Sequence, residues 1–232
     1  MSGTAIVLRV ISVILVGYLL GSIPLGLLIG RRVGVDVRQT GSGKTGATNV
    51  MRSAGIGPGL LVAFGDALKG AVPVLISQHW LASPAALGIH NTNIGPLAAA
   101  AAGLASIAGH NYSIYIGFKG GRGVATTGGM ALAIATPAAL IALIFLIVPI
   151  VLTRYVSLGS MIAAASLPLI ELVLMKTGTV GYDGPASFFA LLVAAIAILF
   201  SHHDNIQRLM AGTERQIGKK VPAQQSRPTP AN

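Results

Sequence analysis

The chain has no cysteine, only six acidic residues, and charge on just 9% of its side chains. The first absence excludes disulfides, thiolate nucleophiles and thiolate-bound metals. The second excludes an oxygen cage for a hard cation, because the few acids are scattered along the chain. The third excludes an ordinary soluble domain, where about 25% of residues are charged and keep the surface hydrated. What is present instead is apolar: 53% of the residues, arranged in long stretches. The chain therefore reads as a polytopic membrane protein. Its formal charge is +10, from sixteen lysines and arginines against the six acids. Those bases lie between apolar stretches, which points to anionic headgroups and phosphorylated ligands and away from nucleic acid. No metal and no cofactor is expected.

A helix needs about 20 apolar residues to cross a bilayer. Candidate stretches are Ala5–Gly30, Ile56–Gln78, Pro96–Ile116, Val124–Leu152, Val156–Met175 and Ala186–Phe200. Arg31, Arg32, Arg38, Lys44 and Arg52 crowd the first connection; Lys119 and Arg122 mark another, and Arg154 a third. Arg208, Arg215, Lys219, Lys220 and Arg227 follow the last stretch, whereas 79–93 has no lysine or arginine and 176–184 only Lys176. The positive-inside rule puts the basic group in the cytoplasm and the last two connections outside. With the N-terminus outside, that parity holds only if Val124–Leu152 crosses twice, turning at Thr136-Pro137. As one helix this stretch is roughly 43 Å long, short for two crossings of about 30 Å each. A re-entrant loop or six spans are the alternatives. The expected fold is all-α: a polytopic membrane helix bundle of seven transmembrane helices, N-terminus extracellular and C-terminus cytoplasmic. Residues 1–221 are expected to form one integral-membrane domain, and 222–232, polar and proline-containing, a disordered tail. No internal repeat is visible.

The segment "GSGKTGATNVMR" (41–52) ends its glycine-rich approach in Gly-Lys-Thr, as nucleotide-binding phosphate loops do. That loop needs a glycine where this chain has Arg38, and a strand before it where this chain has "RRVGVDVR". ATP is therefore excluded, but an anion is not. Gly41 and Gly43 free the backbone to bring N–H groups to a phosphate; Ser42, Thr45, Thr48 and Asn49 add donors, Lys44 a cation and Arg52 a two-pronged guanidinium. In "GFKGGRGVATTGG" (117–129), Gly120, Gly121 and Gly123 interleave with Lys119 and Arg122 just before an apolar stretch. A helix starting there would add its own N-terminal N–H groups. Two such loops on one face point to a phosphate site. In "SHHDNIQRLMAGTERQIGKK" (201–220), His202, Asn205 and Arg208 are three apart and share a helix face, while His203 points elsewhere, toward headgroups. Asp66 and Lys69, three apart in an apolar stretch, are read as a structural ion pair, and His110 as a satisfied histidine at a helix end. Glu171 has no evident partner. Gly21, Ser22 and Gly26 suit close helix packing, with a kink at Pro24.

Taken together, "GSIPLG", "GSGKTGATNVMR", "DALKG", "GHNYSIYIGFKGGRGVAT", "RYVSLGS" and "HHDNIQRLMAGTE" resemble the bacterial acyl-phosphate:glycerol-3-phosphate acyltransferase family. They occur in the family's order, from the first span to Glu214. The resemblance implies a seven-span enzyme of the bacterial inner membrane with its site at the cytoplasmic face. It would transfer a fatty acyl group from acyl phosphate to the 1-hydroxyl of glycerol 3-phosphate, giving lysophosphatidic acid and phosphate, the first committed step of phospholipid synthesis. Its partners would be glycerol 3-phosphate, acyl phosphate and the lipid bilayer, with the protein a monomer. Carried over by position, Ser42, Thr48 and Arg52 belong to the first motif, Lys119, Arg122 and their glycines to a phosphate-holding loop, and Ser160, His202 and Asn205 to the rest of the pocket. Catalytic roles fall to Ser42, Arg52, His202 and Asn205, and Glu214 braces the structure. The family usually carries asparagine where this chain has Lys44 and lysine where it has Arg122. Two phosphorylated substrates would account for two basic glycine loops, and an acyl chain for a site among membrane helices. No histidine has an aspartate five residues on, which excludes a His-x-x-x-x-Asp dyad. Either His202 or the phosphate of acyl phosphate would receive the proton. The alternative of another class is a membrane transporter of an organic phosphate, which would place its site near mid-membrane between repeats.

Overall fold

A computed structural model describes residues 3–81, 94–179 and 184–217. The tail expected at 222–232 lies outside the described residues, as do parts of the two connections expected to lie outside the membrane. Every regular element among the described residues is helical. The chain enters as α1 (Gly3–Ser22) and, after a break at Ile23–Pro24, continues as α2 (Leu25–Arg32). Proline cannot donate to the helix before it, and here its carbonyl opens the next one, accepting from the N–H groups of Leu27 and Leu28 at 3.0 Å. A short α3 (Ala47–Ala54) lies between the first basic loop and α4 (Ile56–Leu81). Then come α5 (Ile94–Asn111), α6 (Val124–Ile134), α7 (Thr136–Thr153), α8 (Val156–Lys176), α9 (Pro185–Ser201) and α10 (His203–Met210).

The central helix is α5, packed against α1, α4, α6 and α9. Its buried residues are small, among them Ala98, Ala99, Ala102, Gly103 and Ser106. Small side chains let helix backbones approach where lipid supplies no hydrophobic drive. Gly17 and Gly21, four apart on α1, rest on the carbonyls of Ala102 and Ser106, so a Cβ at either would force the helices apart. The same contact joins α4 to α6, through Gly70 against Thr126 and Gly129 against Ala67. By contrast α7 packs mainly on α6 and α8 and exposes Leu140, Leu143, Ile144, Ile147, Val151 and Leu152, an apolar face suited to lipid.

The stretch expected to cross twice is not one helix. It breaks at Ala135 (φ −147°, ψ 57°), because Pro137, in the first turn of α7, has no N–H for the Ala133 carbonyl four residues back and would clash with it in a continuous helix. The turn is therefore where the sequence marks it. Yet α6 has 11 residues and rises only about 16 Å, half of a hydrocarbon core. Four helical stretches are long and apolar enough to cross alone: Gly3–Arg32, Ile56–Trp80, Thr136–Thr153 and Val156–Lys176. A fifth results if α9 and α10, bent by 55° at their junction, count together. The interior helix α5 is absent from that set because its neighbours are protein, which asks for small residues and not greasy ones. Glu171, unpartnered in the sequence, is buried on α8 and accepts a hydrogen bond from Ser187 of α9. The protein is a multi-pass membrane helix bundle.

Candidate active site

One buried side chain builds the first loop. Asn49, on the first turn of α3, donates through Nδ2 to the carbonyls of Val37 (2.8 Å), Lys44 (2.9 Å) and Thr40 (3.2 Å). Its Oδ1 accepts from the Ser42 N–H at 2.9 Å. The amide of Asn49 thus shapes the loop. Gly41 and Gly43 take positive φ (56° and 68°) to wrap around it, and Gly26 of α2 seats the loop by contact with the Thr45 carbonyl. The result turns Ser42, Lys44 and Thr48 toward a cavity beside the N-terminus of α3. Asp36 lies outside this loop on the surface, where its hydrogen bonds from Arg38 hold its carboxyl down at about 2.

The second loop delivers the N-terminus of α6. Gly123 caps that helix in the left-handed region (φ 77°), and Gly123, Val124 and Ala125 line the same cavity. Their outward N–H groups supply the positive end of the helix. Arg122 is anchored by Nε donating to the Ser201 carbonyl at 3.1 Å, and Ser201 Oγ donates back to the Arg122 carbonyl at 3.3 Å. This reciprocal pair ties the glycine loop to the α9–α10 junction. Burial lowers the pKa of Arg122, as it does that of Arg52, from a value so high that both remain cations.

The third wall is that junction. His202 Nδ1 lies 2.8 Å from the Ile198 carbonyl, the geometry of an N–H donor, which leaves Nε2 as the acceptor. Burial, assisted by Arg122, pulls its imidazole down to about 4, so it is neutral at physiological pH. Behind it Glu214 accepts from Arg208 Nε (2.7 Å), Asn205 Nδ2 (2.8 Å) and Ser157 Oγ (3.0 Å). Burial alone would raise its pKa; these bonds outweigh burial and hold the carboxyl below its usual range. Arg52 Nη2 donates to the Arg215 carbonyl at 3.1 Å, so the segment after α10 closes over α3.

These walls enclose a cavity of about 390 Å³. Of the residues singled out in the sequence, Ser42, Lys44, Thr48, Asn49, Arg52, Arg122, Gly123, Ser160, His202 and Asn205 line it. Six do not. Gly41 and Gly43 shape the loop from behind, Gly120 and Gly121 pack against His110, Lys119 is exposed, and Arg208 is held by Glu214. Four residues given structural readings or none also line the cavity: Asp66, His110, Ser157 and Glu214. The sequence signal for Asp66 and His110 was their presence at membrane depth, where ionisable groups are costly.

The cavity lies within residues that known proteins share. A sequence model of the family described as glycerol-3-phosphate acyltransferase matches residues 11–212. A glycerol-3-phosphate acyltransferase of Geotalea daltonii is 41% identical over 203 residues, 87% of this chain and 95% of that one. One of Shouchella clausii is 40% identical over 216 residues, 92% of this chain and 98% of that one. The backbone resembles a crystal structure of PlsY, an integral membrane glycerol 3-phosphate acyltransferase, in its glycerol 3-phosphate form: TM-score 0.76, 37% identity, covering 90% of this chain and 96% of that one. Likeness this complete, running from α1 to just past α10, makes the protein an acyltransferase and a member of the glycerol-3-phosphate acyltransferase family.

Proposed function

We propose that the protein transfers a fatty acyl group from acyl phosphate to the 1-hydroxyl of sn-glycerol 3-phosphate, giving lysophosphatidic acid and phosphate. The observation that carries this reading is the junction of two unlike pockets. The polar cavity continues into an apolar one of about 90 Å³, the two sharing Val124, Gly128, Leu132, Leu143, Leu146 and Ser160. Beyond the shared rim the walls are Ala131, Ala139, Ala142, Ala163, Ala164 and Leu167. A phosphate end and an acyl end of one substrate fit across that junction, with the reacting carbonyl at the rim.

Two helix N-termini, of α3 and α6, reach the polar cavity, and two phosphates need holding. Ser42, Thr48 and Arg52 would hold one at α3; Arg122 and the N–H groups of α6 would hold the other. Lys44 adds a cation where the family's usual residue is neutral. Held this way, the glycerol hydroxyl and the acyl carbonyl meet as if at very high concentration. Arg122 and the N–H groups of α6 would stabilise negative charge on the carbonyl oxygen. The hydroxyl oxygen bonds to the acyl carbon and the bond to phosphate breaks. His202 Nε2 and Asn205 orient the hydroxyl. An imidazole held this far below its usual range is a poor resting place for the proton, whereas the phosphate gains negative charge as its bond to the acyl carbon breaks and takes the proton up. The departing phosphate is therefore the proton's destination.

The basic residues of the site support a cytoplasmic face, since Arg52, Arg122, Arg154 and Arg208 gather at one end through contacts of the 201–217 segment. We read the enzyme as a monomer of the bacterial inner membrane, one domain over 1–221, its N-terminus outside and its seven spans completed by α6. Purified protein given radiolabelled glycerol 3-phosphate with acyl phosphate or acyl-CoA tests the donor. Label entering lysophosphatidic acid from acyl phosphate alone is expected. Transfer from acyl-CoA alone would overturn the donor, and label moving unmodified into vesicles would favour a transporter. A His202→Ala variant with near-full turnover would remove His202 from the mechanism.

A further inference from the structure

Three buried ionisable side chains meet one another outside this mechanism: Asp66 and Lys69 on α4, and His110 at the end of α5. All are buried, with 2%, 8% and 5% of their surface exposed. Lys69 Nζ lies 2.9 Å from Asp66 Oδ1 and also donates to the Ile23 carbonyl at the α1–α2 break, 3.0 Å away. His110 Nδ1 is 3.6 Å from the same Asp66 oxygen. Both contacts crowd Oδ1, which is closed off from solvent, and no hydrogen bond reaches Oδ2 among the described residues, so Oδ2 is the oxygen left to accept. Asp66 and His110 nevertheless line the cavity, on its α4–α5 wall.

A buried ion pair is a poor device for stability, because an apolar pair of similar volume often serves as well. Its place in a cavity wall asks for another reason. The polar groups of this cavity are mostly cations, hydroxyls and amides, suited to phosphate oxygens. Glycerol 3-phosphate also brings two hydroxyl groups, and each hydroxyl proton needs an acceptor. His202 Nε2 serves the one that reacts. Glu214 is taken up by Ser157, Asn205 and Arg208. Asp66 is the remaining carboxylate of the lining, and carboxylate oxygens only accept. An isolated carboxylate would repel a phosphorylated ligand; Lys69, in contact, cancels its charge and leaves its acceptor capacity.

We propose that Asp66 accepts a hydrogen bond from the hydroxyl of glycerol 3-phosphate that is not acylated, the one on C2. Asp66 is thus a specificity-determining residue for a phosphorylated vicinal diol, with Lys69 and His110 holding it. The proposal rests on glycerol 3-phosphate being the acyl acceptor. The probe is 3-hydroxypropyl phosphate, which has the same phosphate and primary hydroxyl but no C2 hydroxyl. The wild-type enzyme should prefer glycerol 3-phosphate in kcat/KM by about 10- to 100-fold, the range of a hydrogen bond to a charged group. In Asp66→Leu/Lys69→Met, where an apolar pair replaces the ion pair, that ratio should fall to near one, even if both rates drop. A structural role would lower both rates together and keep the ratio. The proposal is overturned if the wild-type ratio is already near one, or if it survives in the double variant. Should the double variant fail to accumulate, Asp66→Asn keeps the shape but removes the charge that strengthens the hydrogen bond; a reduced ratio supports the proposal and an unchanged one overturns it. Failure of the wild type to acylate glycerol 3-phosphate at all would instead strike the acceptor reading beneath it.

Discussion

Two carboxylates line the same cavity and are held in opposite ways. Glu214 accepts three well-formed hydrogen bonds, from Arg208, Asn205 and Ser157. Asp66 lies deeper, with Lys69 and His110 both close to Oδ1 and no hydrogen bond to Oδ2 among the described residues. Glu214 therefore has most of its acceptor capacity taken and fastens α8, α10 and the following segment together. Asp66 is paired in charge but incomplete in hydrogen bonding, as a group awaiting a donor would be.

The largest expected effect comes from breaking the deeper pair. Asp66→Ala alone leaves Lys69 as an unpaired buried cation, and removing one partner of such a pair costs about 3–5 kcal/mol. Thermal unfolding in detergent should show it, with much of the loss recovered when Lys69→Met is added. Recovery failing would mean that Asp66 stabilises the fold by something beyond that pair. Next come the cations, which repeat the contrast. Arg122 faces the cavity while Arg208 is bound to Glu214. Arg122→Ala should lower kcat by about 100- to 1000-fold, as loss of a charge-stabilising donor does. Arg122→Lys, which keeps the charge but not the two-pronged shape, should lose less than alanine.

Glu214→Ala should cost about 1–3 kcal/mol of stability, the range for leaving buried partners unsatisfied. Glu214→Gln, which still accepts from Ser157 and Asn205, should cost less. If alanine is silent, Glu214 is no brace. The smallest effect is on pH dependence. The folded state keeps His202 neutral down to about 4, against an ordinary 6.5. Between these values the unfolded chain binds a proton that the folded chain refuses, so stability falls as pH drops from 6.5 toward 4. Glu214, held below 4.5, adds a further loss at the acid end. Melting temperatures in pH steps should decline over that window, and His202→Gln should flatten its upper half. A rise in stability on acidification would contradict the neutral, buried imidazole.

Much of this protein was legible in its sequence. Scarce charge and long apolar stretches required a membrane bundle, since backbone polar groups in lipid must be satisfied within helices. Thr136-Pro137 marked a real turn, and Pro24 a real break. Ten of the expected site residues do line one cavity. The other six do not line it, for an identifiable reason: glycine-rich loops show where a backbone can bend, not which atoms face inward. So Gly41 and Gly43 turned out to shape the loop around Asn49, and Lys119 points outward although Arg122, three residues on, points in.

By itself, then, the sequence determined the solvent this protein lives in, the one end where its bases gather, and the kinds of groups that could hold phosphate. Those follow from composition and local pattern, which solvation and backbone sterics translate directly. Only the tertiary structure decided which of those groups share a cavity, that an apolar pocket adjoins it, and that Asp66 and His110 belong to its wall. Such facts depend on contacts between α4, α5, α6 and α9, far apart in the chain. The distance between Asp66 and the glycine loop was set by where Gly70 and Gly129 let the α4 and α6 backbones meet.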